Sequence, residues 1–156
     1  MIRTAREDEA EELARLISLA YRVEDFFKIG DRTDRTDVLK RMTTGDFLVV
    51  EDDRKEIAGC VYVTRSQGVG YFGMLSIDPA RQGQGFGKQL IAAAEAHCRN
   101  AGCREMELEV VNLRTELPPY YRRFGYVETG TRPFTDTEQA SRPCHFIVMT
   151  KRLTTD

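Results

Sequence analysis

The chain has 156 residues, of which 41% are hydrophobic and 31% are charged, a balance typical of a globular protein with a hydrophobic core. Its 23 basic and 25 acidic residues give a net charge of -2 without a basic stripe, which argues against a nucleic-acid-binding protein. No run of about 18 apolar residues occurs and the first residues are unlike a signal peptide, so we expect a single cytoplasmic domain over residues 1–156 without a membrane span.

Two helices are predicted in the first 42 residues. The opening MIRTAREDEAEEL is acidic and helical in pattern, and acidic side chains favour the start of a helix. Apolar residues then recur at helical spacing, which predicts an amphipathic helix over residues 8–21. Residues 22–36 are irregular, and a short helix is expected over residues 36–42.

An antiparallel meander is predicted next. Residues 47–50, 57–65 and 71–77 are rich in Val, Tyr, Phe and Ile, as strands are. A charged turn over residues 51–55 separates the first two strands, and a turn over residues 67–70 separates the second from the third.

The second half of the chain predicts a strand–helix–strand unit. The helix over residues 86–101 should place Phe86, Leu90, Ala93, Ala94, His97 and Ala101 on one face, with Lys88, Glu95 and Arg99 on the other. Gly102 should end this helix, and residues 104–111 are expected to form the next strand. A right-handed crossover through the helix would make this strand parallel to the strand over residues 71–77.

The last elements complete an α/β fold with a mixed sheet. Two prolines open a short helix over residues 118–124, because proline is tolerated in the first helical turn. Residues 126–128 and 145–150 are expected to close the sheet as an antiparallel pair.

The four cysteines form no CxxC pair, which favours free thiols in a reducing compartment. A metal cluster of His97, Cys98 and Cys103 is the alternative, but the chain holds only two histidines. We therefore expect no metal site.

The stretch PARQGQGFGKQL, residues 79–90, carries three glycines directly before a predicted helix. Exposed N–H groups and the positive end of a helix dipole suit a phosphate or pyrophosphate. A dinucleotide GxGxxG motif fails because position 88 is Lys, and a Walker loop fails because Gln89 follows Gly87-Lys88. A purely structural turn is the remaining alternative.

The spacing Gln82-x-x-Gly85-x-Gly87 resembles the pyrophosphate-binding motif of the GNAT superfamily of N-acetyltransferases. Tyr121 with Gly125-Tyr126 is similar to the Tyr-x-x-x-Gly-(Phe/Tyr) segment of that family, and Leu108-Glu109-Val110 is similar to its preceding strand. The element order matches as well. The resemblance is strongest over residues 73–126 and covers nearly the whole chain.

The resemblance implies a GNAT-like fold with splayed central strands and acetyl-CoA as co-substrate. The pantetheine arm would bond the exposed backbone of Leu75, Ser76 and Ile77. The pyrophosphate would be held by Gln82, Gly83, Gln84, Gly85, Phe86, Gly87 and Lys88. The acetyl group would pass directly to a primary amine, with a small molecule favoured as acceptor, and a homodimer is compatible with this family. A non-catalytic CoA-binding module and a transferase for another acyl-CoA are the alternatives.

Tyr121 and Glu109 are the catalytic candidates that the resemblance implies. Tyr121 would protonate the leaving thiolate, since tyrosine is protonated at neutral pH, or it would only pack against the thiol. Glu109 would be the base, directly or through water, because a central parallel strand is normally apolar on both faces. The alternative is that this strand simply faces water near the splay, without a role for Glu109 in catalysis. Glu51 and Glu116 are weaker candidates.

Arg114 departs from the family pattern, because many members carry Asn at this position to contact the cofactor. It would either replace that Asn or bind an acceptor's carboxylate. The acceptor side would be built by the first helices and last strands, which offer Glu24, Asp25, Phe26, Phe27, Arg32, Arg35, Phe134 and His145.

Overall fold

The computed structural model describes residues 1–134 and 140–153, which contain a seven-stranded sheet and four α-helices. The strands are β1 Ile2–Thr4, β2 Asp46–Glu51, β3 Ile57–Ser66, β4 Val69–Ile77, β5 Glu105–Val111, β6 Val127–Pro133 and β7 His145–Arg152. The helices are α1 Ala10–Ala20, α2 Arg35–Arg41, α3 Phe86–Asn100 and α4 Leu117–Arg122. The single domain expected over residues 1–156 includes 135–139 and 154–156, which lie outside the described residues.

The sheet is mixed, with the order β1-β2-β3-β4-β5-β7-β6, and this confirms the predicted fold class. Strands β2, β3 and β4 form the expected antiparallel meander. The turn before β4 is shorter than predicted, since Val69 and Gly70 already belong to the strand. Gln67 and Gly68 both have positive φ, at 51° and 82°, as a two-residue hairpin turn requires.

Strands β4 and β5 run parallel but separate after a short contact. They pair only from Val69 opposite Glu105 to Tyr71 opposite Glu107. Further along, within the described residues, β4 pairs with β3 alone and β5 with β7 alone. Met74 has a φ of 54°, and a register shift against β3 marks a bulge there, which bends a strand. The expected splay of the central strands is thus confirmed.

Apolar residues pack on both faces of the sheet. Leu90, Ile91 and Ala94 of α3 pack with Val61 and Phe72 on one face. On the other face, α1 and α2 pack with the side chains that alternate with these, such as Phe47, Val49 and Cys60. None of the described helices is long and apolar enough to cross a membrane.

The buried face of α3 differs from the predicted one. Cys98 and Glu95 are buried, whereas His97 is only partly buried and its Nε2 lies 3.3 Å from an Asp46 carboxylate oxygen. Glu95 was expected on the polar face. Its carboxylate accepts hydrogen bonds from the Tyr126 hydroxyl at 2.8 Å and from Lys151 Nζ at 3.0 Å. These partners, which lie far along the chain, make burial of the charge tolerable.

The N-terminus forms strand β1 instead of the expected helical segment. Ile2 to Thr4 pair with the outer edge of β2, which would otherwise be unpaired. A 3₁₀ turn over Glu7–Glu9 follows, and α1 begins only at Ala10. The Arg3 side chain joins the two segments, with its guanidinium 2.7 Å from a Glu9 oxygen.

Replacing Glu9 with Gln should lower the free energy of unfolding by about 2–3 kcal/mol at neutral pH. The hydrogen bond from Arg3 lowers the pKa of Glu9 from 4.5 to about 2. Because this pKa is depressed in the folded state, the stabilisation is complete above about 4.5 and is lost as pH falls towards 2. Urea denaturation across this pH range measures it.

Glu12→Gln is the matched control, since Glu12 is exposed and pairs with no described residue. It should change stability by less than about 0.5 kcal/mol. Equal losses in the two variants at neutral pH would contradict the role given to the Arg3–Glu9 pair.

Candidate functional site

Two cavities open at the gap between β4 and β5 and share part of their walls. The first, here called the loop cavity, has a volume of about 790 Å³ and is lined by the glycine stretch and by α4. The second, here called the sheet cavity, has a volume of about 590 Å³ and is lined by β4, β5 and the segment after α1. Both are lined by Tyr21, Leu75, Leu117 and Tyr121.

The glycine stretch forms a tight loop between β4 and α3. The Asp78 carboxylate accepts a hydrogen bond from Ala80 N at 2.9 Å and begins a 3₁₀ turn. Gly83 and Gly85 both have a φ of 82°, which a residue with a Cβ adopts only with strain. A Cβ at either position would meet open space, so backbone conformation and not crowding requires glycine here.

The loop cavity is suited to an anionic ligand. Helix α3 begins at Phe86, and the first N–H groups of a helix lack partners within it. The exposed side chains of Lys88 and Arg123 line the cavity, and neither forms an ion pair with a described residue. Arg81, by contrast, lies 2.6 Å from Asp52. Lys88 follows directly from the glycine motif, whereas no sequence motif points to Arg123, two residues after Tyr121.

The end of β4 presents free backbone to the loop cavity. Ser76 and Ile77 pair with β3 through Cys60 and Gly59, but no described strand pairs with their other side. Leu75 and Ile77 line the cavity, whereas the buried Ser76 hydroxyl donates to the Met74 carbonyl at 2.9 Å. Such an unpaired edge can bond an extended amide-containing ligand as an added strand would.

Tyr121 lies on α4 where the two cavities meet. It is 7% exposed, and its ring packs edge-on against Phe72 at 6.0 Å and Tyr126 at 6.3 Å between centroids. Its hydroxyl makes no hydrogen bond to residues 1–134 or 140–153. Burial raises the pKa of Tyr121 above its ordinary value of 10, so the phenol stays protonated.

Glu109 lines the sheet cavity from β5. Burial raises the pKa of the Glu109 carboxyl above its ordinary value, while nearby Arg132 lowers it and Glu107 raises it. The Arg132 guanidinium is 3.8 Å from Glu109 but only 2.8 Å from Glu107, which is its principal partner. A partly exposed carboxylate with a raised pKa is a stronger base than an ordinary glutamate and can accept a proton while it is ionised.

Arg114 lines the loop cavity, but two carboxylates already hold its guanidinium. Glu24 lies 2.9 Å away and Glu116 lies 3.0 Å away. The Arg114 side chain is 14% exposed, and Glu24 belongs to the segment after α1. Arg114 therefore connects this segment to the start of α4.

The remaining candidates are divided between the cavities and the rest of the molecule. Glu24, Arg32 and Phe134 line the sheet cavity, together with Lys28, Tyr71 and Arg132, which sequence reasoning missed. The following line neither cavity: Asp25, Phe26, Phe27, Arg35, Glu51, Glu116 and His145. All four cysteines are free thiols. Across the described residues, no group of His, Cys, Asp and Glu is arranged to hold a metal ion.

Residues 10–126 match the model of the acetyltransferase (GNAT) family, which covers most of the chain. The search of curated proteins found no match to this chain. A Klebsiella pneumoniae protein described as an acyl-CoA N-acyltransferase is 25% identical, with coverage of 99% of this chain and 97% of that one and a TM-score of 0.72.

Two further solved structures share the fold at lower identity. The ribosomal-protein-S18-alanine N-acetyltransferase of Escherichia coli is 16% identical, with coverage of 100% and 95% of the two chains and a TM-score of 0.78. A Salmonella typhimurium protein described as an acetyltransferase, solved with acetyl-CoA, is 18% identical, with the same coverages and a TM-score of 0.75. The match over residues 10–126 establishes that the chain belongs to the acetyltransferase (GNAT) family and is an acyltransferase that uses acetyl-CoA.

Proposed function

We propose that the protein transfers the acetyl group of acetyl-CoA directly to a primary amine of a small molecule. The observation that carries this proposal is the meeting of the two cavities at Tyr121. A thioester in the loop cavity and an amine in the sheet cavity would approach each other there. The sheet cavity, at about 590 Å³, has the volume of a small-molecule site.

The loop cavity would hold the donor. Its N–H groups favour the phosphates of acetyl-CoA, as do the cations Lys88 and Arg123, which form no ion pair within residues 1–134 and 140–153. We assign the pyrophosphate to Gln82, Gly83, Gln84, Gly85, Phe86, Gly87 and Lys88, and the pantetheine amides to the backbone of Leu75, Ser76 and Ile77. Arg114 would contribute to the cavity wall, since its charge is balanced by Glu24 and Glu116.

The chemical step would need little beyond positioning and two proton transfers. The neutral amine attacks the thioester carbonyl, the C–S bond breaks, and the thiolate leaves with a proton from the Tyr121 hydroxyl. The proton lost by the amine passes to Glu109, directly or through water, and then to solvent. The Tyr121 phenolate regains a proton from solvent, so both groups return to their starting states.

Steady-state release of the CoA thiol tests this function. With a panel of small primary amines, the initial rates measured at several concentrations of both substrates should give intersecting double-reciprocal lines, as a ternary complex does. Parallel lines would contradict direct transfer. Binding of acetyl-CoA without thiol release would favour the non-catalytic CoA-binding module, and faster release from succinyl-CoA would favour another acyl donor.

The pH dependence of the same rate tests the base. Glu109 accepts a proton only when ionised, so kcat/KM should fall as pH decreases through its raised pKa. Arg132→Gln removes a charge that lowers this pKa and should move the acidic limb to higher pH, whereas Glu109→Gln should abolish the limb. An unchanged limb in both variants would assign the base to another group.

Two further expectations remain proposals. The free thiols are those of a protein from a reducing compartment, which supports a cytoplasmic location. The second is a homodimer, which a measurement of the mass of the protein in solution tests.

A further inference from the structure

Arg32 differs from the other arginines of the sheet cavity, because no carboxylate in the described part of the chain pairs with it. Arg41 lies 3.0 Å from Asp37, and Arg132 lies 2.8 Å from Glu107. Arg32 lines the same cavity, and its guanidinium contacts the Tyr21 ring. Its charge also lowers the pKa of Asp37, whose carboxylate is paired with Arg41. A guanidinium in a cavity wall that forms no ion pair with a described residue is placed to receive an anion from a ligand.

Contacts on both sides hold Arg32 in place. Its guanidinium carbon lies 5.2 Å from the centroid of the Tyr21 ring, within the range of a cation–π interaction. The adjacent backbone is anchored to α1, since the Ser18 hydroxyl donates to the Thr33 carbonyl at 3.0 Å. The charge is therefore presented to the cavity by an ordered segment, which lowers the entropic cost of binding a ligand.

The sheet cavity is thus lined by the guanidinium of Arg32, from the segment after α1, and by the carboxylate of Glu109, from β5. Both charges act on the half-buried Tyr71 phenol, whose pKa is raised to about 12, mainly by burial; Glu109 also raises this pKa and Arg32 lowers it. A ligand that satisfies both groups needs a cationic end and an anionic end. An amine with a carboxylate on the same small molecule has this pattern of charge.

We propose, on the basis of the acetyl-transfer function above, that the acceptor is a small amine that also carries a carboxylate, and that Arg32 binds this carboxylate. One unpaired guanidinium balances one negative charge, and its planar fork matches the two oxygens of a carboxylate. Arg114, the sequence candidate for this role, is already held by Glu24 and Glu116. Arg32 is therefore a specificity-determining residue.

Matched pairs of acceptors test the inference. The common L-amino acids, β-alanine and 4-aminobutyrate are each compared with their carboxamides, by CoA release and by calorimetric binding in the presence of CoA. At least one acid should exceed its carboxamide in kcat/KM by about ten- to hundredfold, as expected for loss of a charged hydrogen bond. Arg32→Gln should abolish this preference mainly through KM, and Arg32→Lys should retain part of it.

Arg35→Gln is the control, because Arg35 is exposed three residues further on and lines neither cavity. It should keep the preference of the wild type. Carboxamides that react as well as the acids, or a preference that survives in Arg32→Gln, would overturn the inference while leaving acetyl transfer intact.

Calorimetry separates failure of this inference from failure of the proposed function. If no amine causes CoA release, acetyl transfer fails, yet Arg32-dependent binding of an amino acid would still support the carboxylate site. If the wild type neither binds nor acetylates any of these acids, the inference is overturned, even where other amines are acetylated.

Discussion

Tyr121→Phe is expected to lower kcat by about 10²–10³-fold and to change the dissociation constant of acetyl-CoA by less than about threefold. The substitution removes the hydroxyl that we propose as proton donor, at the meeting point of the two cavities, and keeps the ring. Because the hydroxyl has no hydrogen-bond partner in the described structure, its loss should leave the fold intact. The measurements are CoA release under saturating substrates and calorimetric binding of acetyl-CoA.

Tyr62→Phe is the matched control for loss of a buried tyrosine hydroxyl. Tyr62 lines neither cavity, and its hydroxyl donates to the Arg41 carbonyl at 2.7 Å. Its replacement should cost about 1 kcal/mol of stability and leave kcat unchanged. If Tyr121→Phe kept the wild-type kcat, Tyr121 would only pack against the thiol and another group would protonate it.

Gly85→Glu is expected to weaken acetyl-CoA binding by about a hundredfold or more. The new carboxylate would stand in the open space at the start of α3, where we place the pyrophosphate, and like charges would repel. Acetyl-CoA at a hundred times its dissociation constant should stabilise the wild type by about 2.7 kcal/mol. Most of this gain should disappear in the variant, as measured by thermal unfolding with and without acetyl-CoA.

Gly102→Glu provides the matched control at the opposite end of α3. Gly102 has a φ of 91° and, like Gly85, open space where a Cβ would lie. Both variants therefore carry a similar backbone strain of about 1–2 kcal/mol and the same added charge. Gly102→Glu should keep the full stabilisation by acetyl-CoA. Equal loss in both variants would mean that the glycine stretch is a structural turn and not the pyrophosphate site.

Elements with local signals were predicted well. The strand composition of residues 47–77 predicted the meander, and the helical spacing of apolar residues predicted α3. Both signals lie within short stretches of sequence and do not depend on distant residues. The loop before α3 was recognisable because its positive φ angles at Gly83 and Gly85 require glycine wherever such a loop occurs. The same glycines form part of the family motif, and this motif predicted acetyl-CoA as the donor.

Features that depend on distant residues were missed or misplaced. Strand β1 exists because the edge of β2 is available to it, and no pattern in the first residues shows that edge. Glu95 looked like a surface residue, but its partner Lys151 lies 56 positions away. Arg114 looked like a ligand-binding cation, yet Glu24, 90 positions earlier, balances its charge.

The sequence by itself determined the family, the donor and the elements that carry the glycine loop, because these depend on short motifs and on the periodicity of apolar residues. Only the tertiary structure decided that Tyr121 stands where two cavities meet, and that Arg114 is held by two carboxylates whereas Arg32 of the sheet cavity forms no ion pair with a described residue. The gap between β4 and β5 makes room for the two cavities, and side chains that are distant in the sequence meet around this gap and balance one another's charges. That separation is a property of strand pairing across the sheet and not of any single segment.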